Sequence, residues 1–157
     1  MIQNVKMLLE DDEGRLIWPY TDTMGHRTWG IGHNLDASPI TPAVRALLQQ
    51  AVDLQFQVDV ESIDSQLAAM PWWADLDPVR QAVLADMGFN LGYAGLQNFT
   101  MFLSFMAQDR FKEAAADLRQ TKAYRELPNR YERLAVMLET GQWPPEADAG
   151  APSTPVA

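Results

Sequence analysis

The sequence lacks cysteine entirely and contains only two histidines among its 157 residues. Without cysteine the chain can form no disulfide and has no thiolate chemistry, which fits folding in a reducing cytoplasm. His26 and His33 are too few and too differently placed for a zinc site. No segment resembles a phosphate-binding loop or a nucleophile triad. We therefore expect chemistry that needs neither a metal nor a cofactor.

Positive charge and long apolar runs are also scarce. The chain has 12 Lys and Arg against 21 Asp and Glu, giving a net charge of −9. Nucleic-acid binding depends on basic side chains that neutralise phosphates, so we expect no nucleic-acid partner. No apolar run reaches the ~18 residues of a membrane span, and the acidic N-terminal segment is unlike a secretory signal. These absences predict a cytoplasmic protein without stable membrane association.

Helical periodicity dominates what is present. A 47% apolar content is typical of a soluble globular domain. Apolar spacing predicts a short helix over 2–12 that stops at Gly14, and a long helix over about 41–68 that begins at the cap-and-proline pair Thr41-Pro42. The second such pair, Asp77-Pro78, predicts a helix that ends near Gly92.

Shorter helices are predicted over 99–107, 109–119 and 128–139, with Asp109 as the cap of the second and Gly141 as the stop of the third. The proline- and alanine-rich segment 144–157 predicts a disordered tail.

Residues 15–35 differ from the rest of the chain. They are rich in β-branched and aromatic residues, and Asp22-Thr23-Met24-Gly25 is typical of a turn, so we predict a hairpin or a three-stranded antiparallel sheet. The predicted fold is α+β and mainly helical. One domain, 1–143, would contain a small lobe at about 14–40 and a helical lobe at about 70–143 plus the N-terminal helix, joined by the helix over 41–68.

One charged residue lies on the apolar side of the long helix. Asp59 shares a face with Phe56, Val60 and Ile63, so we expect it to be at least partly buried. A buried carboxylate needs a partner. His33 is the predicted partner, in a structural rather than a catalytic role.

Two carboxylates and a hydroxyl, Glu13, Asp22 and Thr28, are the candidate reactive groups. Taken singly, each has a plainer interpretation: a solvated acidic cap, a turn former and an ordinary strand residue. However, Glu13 belongs to a cluster of acidic residues at a predicted helix C-terminus, where the dipole disfavours negative charge. Locally unfavourable choices often mark functional sites. Crowding also raises proton affinity, as a general acid requires.

The spacing of these residues is more specific than any one of them. Glu13, eight residues, Asp22, five residues and Thr28 resemble the catalytic signature of phage-type lysozymes, glycoside hydrolase family 24. Further resemblances follow in the family's order over roughly 5–143: Asp12-Glu13-Gly14, Tyr20, Thr28-Trp29-Gly30-Ile31-Gly32-His33, Phe89-Asn90-Leu91-Gly92, Gly95, Phe99-Thr100, Pro128-Asn129-Arg130 and Thr140-Gly141-Gln142-Trp143.

The resemblance implies a lysozyme-like fold with a cleft between its lobes. It also implies hydrolysis of the β-1,4 bond between N-acetylmuramic acid and N-acetylglucosamine in bacterial peptidoglycan. Glu13 would be the general acid. Asp22 would stabilise the positive charge at the sugar or help direct water, and Thr28 would position the attacking water, with inversion. Arg130 would orient Glu13.

The resemblance also carries expectations about substrate contacts and biology. Tyr20 and Asn90 would contact substrate. A monomer would serve host cell lysis or wall penetration, reaching the wall by holin-dependent release or with a virion. The alternatives are a non-catalytic wall-binding or virion structural module, and an enzyme acting on chitin. Three features depart from the family: the acidic net charge, His26 and Arg27 at positions where relatives often carry aromatic residues, and a short linker between His33 and the long helix, which implies a reduced small lobe.

Overall fold

The computed structural model describes residues 5–6 and 15–144 of the chain. Val5 and Lys6 are helical. The rest of the predicted N-terminal helix, Glu13 just after it and nearly all of the predicted tail lie outside the described residues. The chain divides into two compact units, up to Leu54 and from Gln55 onward. The single-domain arrangement and the cleft stay predictions.

The first unit contains a small antiparallel sheet in the order β1-β2-β3. The strands are β1 (Leu16–Thr21), β2 (Arg27–Gly30) and β3 (His33–Asn34), so the predicted three-stranded sheet is confirmed. Pro19, which has no N–H to donate, lies in the edge strand β1, where proline is tolerated. Gly25, at a φ of +87°, supplies the left-handed residue of the predicted turn between β1 and β2.

Helix α1 (Pro42–Leu67) begins and ends as predicted, and the boundary between the two units falls within it. The Thr41 hydroxyl accepts a hydrogen bond from the Val44 amide at 3.4 Å, which is the predicted cap. The expectation that Asp59 is partly buried is wrong. Among its 26 residues α1 buries only Leu67, and the exposed Asp59 carboxylate accepts a hydrogen bond from the Gln55 side chain. Sharing a face with apolar residues therefore does not bury it.

The second unit is helical. After α1 come a 3₁₀ turn and six helices: Trp73–Asp75, α2 (Pro78–Leu91), α3 (Tyr93–Gln97), α4 (Thr100–Met106), α5 (Phe111–Leu118), α6 (Lys122–Glu126) and α7 (Pro128–Thr140). The predicted helices are confirmed within one or two residues, and the mainly helical α+β fold with them. The short helices α3 and α6 were not predicted, because five residues show too little periodicity.

Helix caps explain most of these bounds. The Asp77 carboxylate accepts from the amides of Val79 and Arg80, and Gly141 ends α7 in the left-handed conformation, both as predicted. Asp109 as the cap of α5 is wrong. It adopts a left-handed φ of +57° and belongs to the end of α4, where the Arg110 amide donates to the Phe105 carbonyl. Aspartate tolerates this conformation better than most residues.

The core lies in the second unit, where α2, α5 and α7 contribute most of its buried side chains. Its fully buried residues include Leu67, Val83, Leu84, Met87, Leu96, Phe102, Leu118, Tyr131 and Leu138. Gly88 lets α1 and α2 approach closely, since a Cβ there would lie 3.1 Å from the Ile63 side chain. No helix of the described residues is long and apolar enough to span a membrane.

Candidate functional site

The turn between β1 and β2 fixes Asp22. Its Oδ1 accepts hydrogen bonds from the backbone amides of Met24 and His26, both at 2.8 Å. Its own amide donates to the His26 carbonyl at 2.9 Å. Asp22 is therefore a turn former, as its plainer interpretation had it, and the turn leaves the second carboxylate oxygen, Oδ2, for other groups.

Thr28 lies beside this second oxygen. It occupies the central strand β2, paired with Tyr20 on one side and Asn34 on the other, and its side chain is 3% exposed. The Thr28 hydroxyl lies 3.4 Å from Asp22 Oδ2 and 3.3 Å from the His26 carbonyl. Both distances are long for O–H···O hydrogen bonds. The hydroxyl is therefore held in place without being committed to one strong partner.

His26 is the third group at the Asp22 carboxylate. Its Nδ1 lies 3.4 Å from Asp22 Oδ2, and its side chain is about half exposed. The pKa of Asp22 is lowered from its ordinary value, chiefly because the His26 backbone amide donates to the carboxylate. Asp22 therefore stays ionised and acts as an acceptor of hydrogen bonds and a fixed negative charge.

Together Asp22 and Thr28 are suited to bind and orient a water molecule. An ionised carboxylate can accept a proton or hydrogen bond, and a neighbouring hydroxyl can both donate and accept. A water molecule bound by such a pair would be oriented by both groups, which is what activation of a nucleophilic water requires. The pair alone contains no group suited to donate a proton at neutral pH.

The remaining residues of the first unit support the sheet. Nε2 of His33 lies 3.1 Å from the Ser38 carbonyl, within the loop that follows β3. Tyr20 is half-buried next to Thr28. Arg27 binds Asp36 through its side chain and its backbone amide, both at 2.8 Å. The predicted pairing of His33 with Asp59 joins the two units and stays a prediction, although the burial that motivated it is absent.

In the second unit Arg130 binds Asp86, which the sequence had not indicated as its partner. Arg130 Nε donates to Asp86 Oδ1 at 2.8 Å, and a terminal nitrogen donates to the Asp86 carbonyl at 3.3 Å. Both side chains are about 30% exposed. They border an open cavity of about 330 Å³ whose other walls are apolar: Phe56, Val60, Ile63, Ala85 and Phe89. Asp86 thereby fixes the angle of the guanidinium.

Asn90, the second predicted substrate contact, is exposed near the end of α2. Its Oδ1 accepts a hydrogen bond at 3.0 Å from the hydroxyl of Tyr131, which is fully buried on α7. Burial raises the pKa of Tyr131, so its phenol stays protonated and continues to donate. The Asn90 amide nitrogen, which carries two donors, is left for solvent or a ligand.

The structure thus describes every predicted site residue except Glu13. Asp22 and Thr28 lie together in the first unit, while Arg130 and Asn90 each pair with a residue that sequence reasoning missed, Asp86 and Tyr131. The described residues contain no cluster of histidine and acidic side chains able to hold a metal ion.

Comparison with known proteins adds independent evidence. The sequence matches the family model described as phage lysozyme over residues 10–132, a span that includes Glu13, Asp22, Thr28 and Arg130. It is 24% identical to probable T4-type lysozyme 1 of Dictyostelium discoideum over 164 residues, and 26% identical to probable T4-type lysozyme 2 of the same organism. Each alignment covers 90% of this chain and 96% of the relative.

A third relative is of a different kind. The pre-baseplate central spike protein Gp5 of Enterobacteria phage T4 is 24% identical over 156 residues, and the alignment covers 85% of this chain but 27% of Gp5. The similarity therefore concerns one part of a larger protein.

Proposed function

We propose that this chain, which belongs to the phage lysozyme family, is a muramidase that hydrolyses the β-1,4 bond between N-acetylmuramic acid and N-acetylglucosamine in peptidoglycan. The observation that carries the proposal is the Asp22–Thr28 pair, which lies at the family spacing after Glu13. An ionised carboxylate beside a buried, weakly bonded hydroxyl is suited to hold a water molecule in a fixed orientation.

In the proposed mechanism the three residues divide the chemistry. Glu13 protonates the glycosidic oxygen as the bond breaks, which supplies the general acid that the Asp22–Thr28 pair lacks. Thr28 orients a water molecule, and Asp22 stabilises the positive charge that develops at the sugar and helps direct the same water. Attack by this water from the opposite face, with transfer of its proton to the Asp22 carboxylate, would invert the anomeric centre. We assign host cell lysis or wall penetration as the biological role.

Arg130 is proposed to orient Glu13. A guanidinium has five N–H donors in a planar fork, and the bonds to Asp86 leave donors for a second carboxylate. Proximity of Arg130 would lower the pKa of Glu13, so its benefit to a general acid is orientation rather than proton affinity. Arg130→Lys keeps the positive charge and loses the planar fork. It should lower kcat for peptidoglycan hydrolysis and leave the thermal midpoint close to that of the wild type.

The test measures loss of turbidity of purified Gram-negative peptidoglycan, together with the release of reducing ends, for the wild type, Glu13→Gln and Glu10→Gln. Glu10 belongs to the same acidic cluster but lies outside the catalytic spacing, so it is the matched control. We expect Glu13→Gln to abolish hydrolysis and Glu10→Gln to retain it. Equal activity in the wild type and Glu13→Gln would refute the assignment of the general acid. The anomer first formed, read by NMR, then tests inversion.

The similarity to part of Gp5 favours a second candidate, a structural module of a phage particle that has kept the fold. This candidate predicts that the wild type binds purified peptidoglycan in a pull-down but releases no reducing ends over a broad range of pH and salt. Turnover by the wild type would reject a purely structural role. The same assay on purified chitin distinguishes a muramidase from an enzyme that acts on chitin: a muramidase should release no reducing ends from it.

A further inference from the structure

Helix α1 has apolar residues on two opposite sides, and one of these sides packs against α2. On the packed side Phe56 meets Phe89 edge-to-face at 5.6 Å between ring centres, and Leu67 is fully buried. The opposite side, at 3.6 residues a turn, consists of Val44, Leu47, Ala51, Leu54 and Val58, which we call the seam. Leu47, Leu54 and Val58 are 65%, 64% and 51% exposed, and Val44 is half-buried.

The seam follows the heptad repeat of a coiled coil. Its members are spaced by three, four, three and four residues, so Val44, Ala51 and Val58 fall at a positions and Leu47 and Leu54 at d positions. Two of the three a positions hold β-branched valine and both d positions hold leucine, a combination that favours two strands among parallel coiled coils. We propose that the seam binds the seam of a second copy of this chain, side by side and in register, to form a dimer.

The positions of the charged residues on α1 are compatible with a second copy of the chain binding at the seam. Each of the three charged residues between Pro42 and Val60, namely Arg45, Asp53 and Asp59, falls at a b or c position, away from the contact. The flanking e and g positions hold only neutral residues: Ala43, Leu48, Gln50, Gln55 and Gln57. Two chains that each carry a charge of −9 can therefore meet here without like charges facing each other.

The length of the seam sets the strength of the dimer. Fifteen residues of helix give a contact of about 22 Å, which buries on the order of 1,000 Å² in total and so lies at the lower limit for specific association. The next d position is Glu61, which would face the same glutamate of the partner and stops the seam at two heptads. Association should be reversible, with a dissociation constant on the order of micromolar.

Sedimentation velocity on the full chain, over a concentration series from about 1 to 300 μM around that expected constant, tests the proposal. The wild type should shift from monomer to dimer. Leu54→Gln should weaken association about tenfold or more. Val52→Gln, an equally exposed apolar residue at a b position, should not. A monomeric wild type, or equal effects of the two variants, would overturn the proposal.

A gain-of-association pair makes the test sharper. Glu61→Leu extends the seam by one layer and should tighten the dimer about tenfold or more, whereas Asp53→Leu places the same side chain at a c position and should not. If both variants tightened the dimer equally, the added leucine would act through non-specific hydrophobic association, and the proposed seam would be overturned.

The lack of cysteine in the chain permits a clean test of register. Val58→Cys should form an intermolecular disulfide on mild oxidation, because parallel in-register seams place both copies of residue 58 together. Val52→Cys should not. If Leu54→Gln instead lowers the thermal midpoint of the dilute monomer without changing association, a segment of the same chain covers the seam and the dimer is refuted.

Discussion

Replacing Thr28 by valine separates its chemical role from its structural one. Valine keeps the shape of the side chain and favours a strand, and the hydroxyl it removes has only long contacts, 3.3 and 3.4 Å. The stability lost should therefore be less than the ~1 kcal/mol of an ordinary hydrogen bond. For a chain of this size, that corresponds to a shift in the thermal midpoint of at most about 4 °C.

The effect on catalysis should be much larger. If the hydroxyl orients the attacking water, its loss should lower kcat about 100-fold or more, which is about 2.7 kcal/mol at 1.36 kcal/mol per factor of ten. This exceeds the effect on stability severalfold, so the two contributions can be distinguished in one variant.

The assay is release of reducing ends from purified peptidoglycan, with thermal unfolding followed by circular dichroism on the same samples. Thr21→Val is the matched control, because Thr21 is an exposed residue at the end of β1 and lies outside the Asp22–Thr28 pair. We expect it to retain wild-type kcat. Undiminished kcat in Thr28→Val would refute the role of the hydroxyl, and a large fall in the thermal midpoint would show that Thr28 acts through the sheet.

Four further outcomes are expected. In an NMR titration the pKa of the Asp22 carboxyl should lie below 3.8 and stay lowered in His26→Phe, because the largest cause of the shift is the backbone amide of residue 26, which the substitution keeps. Arg80→Met removes two hydrogen bonds to the Leu138 carbonyl, the ion pair with Asp77 and the contact with the Phe111 ring. The free energy of unfolding should fall by about 3 kcal/mol and the thermal midpoint by roughly 9 °C. Arg119 lowers the pKa of Glu132, and the stability this gives is present above about pH 4.5 and is lost as the pH falls through the lowered pKa. Arg119→Gln should therefore be less stable than the wild type near pH 7, with the difference shrinking in acid. Hydrolysis should not be suppressed between about 0.05 and 0.3 M salt, because an acidic chain and an anionic wall repel each other and salt only screens that repulsion.

Local signals in the sequence predicted most of the fold. Thr41 and Asp77 each precede a proline and cap a helix, and Gly141 ends one, because capping depends on residues within one turn of each other. The same reasoning failed for Asp109. A lone aspartate between two helices can start the second or end the first, and the choice depends on a backbone angle that composition does not determine.

Periodicity predicted less about burial than about helix formation. Asp59 was expected to be partly buried because it lies among apolar residues, yet α1 buries a single residue at its C-terminal end. A stripe of apolar residues indicates which side could pack, but what covers that side depends on other elements. This limit explains both the error at Asp59 and the exposed seam.

The candidate site divides in the same way. Asp22 and Thr28 are six residues apart on a hairpin, so the turn that the sequence predicts also brings them together. Arg130 and Asp86 are 44 residues apart and meet because α2 and α7 pack together. Such a pair is formed by tertiary packing, and no short-range sequence pattern predicts it.

Asp86 changes how the role of Arg130 is to be understood. A guanidinium without a fixed partner would turn toward any nearby carboxylate, and its charge would be its main contribution. Here Asp86 holds Nε through its carboxylate and a terminal nitrogen through its carbonyl, so the plane of the fork is set by α2. A second carboxylate bound to the remaining donors would inherit that orientation. The proposed positioning of Glu13 thus depends on two residues rather than one, and Asp86→Ala should impair hydrolysis for the same reason as Arg130→Lys.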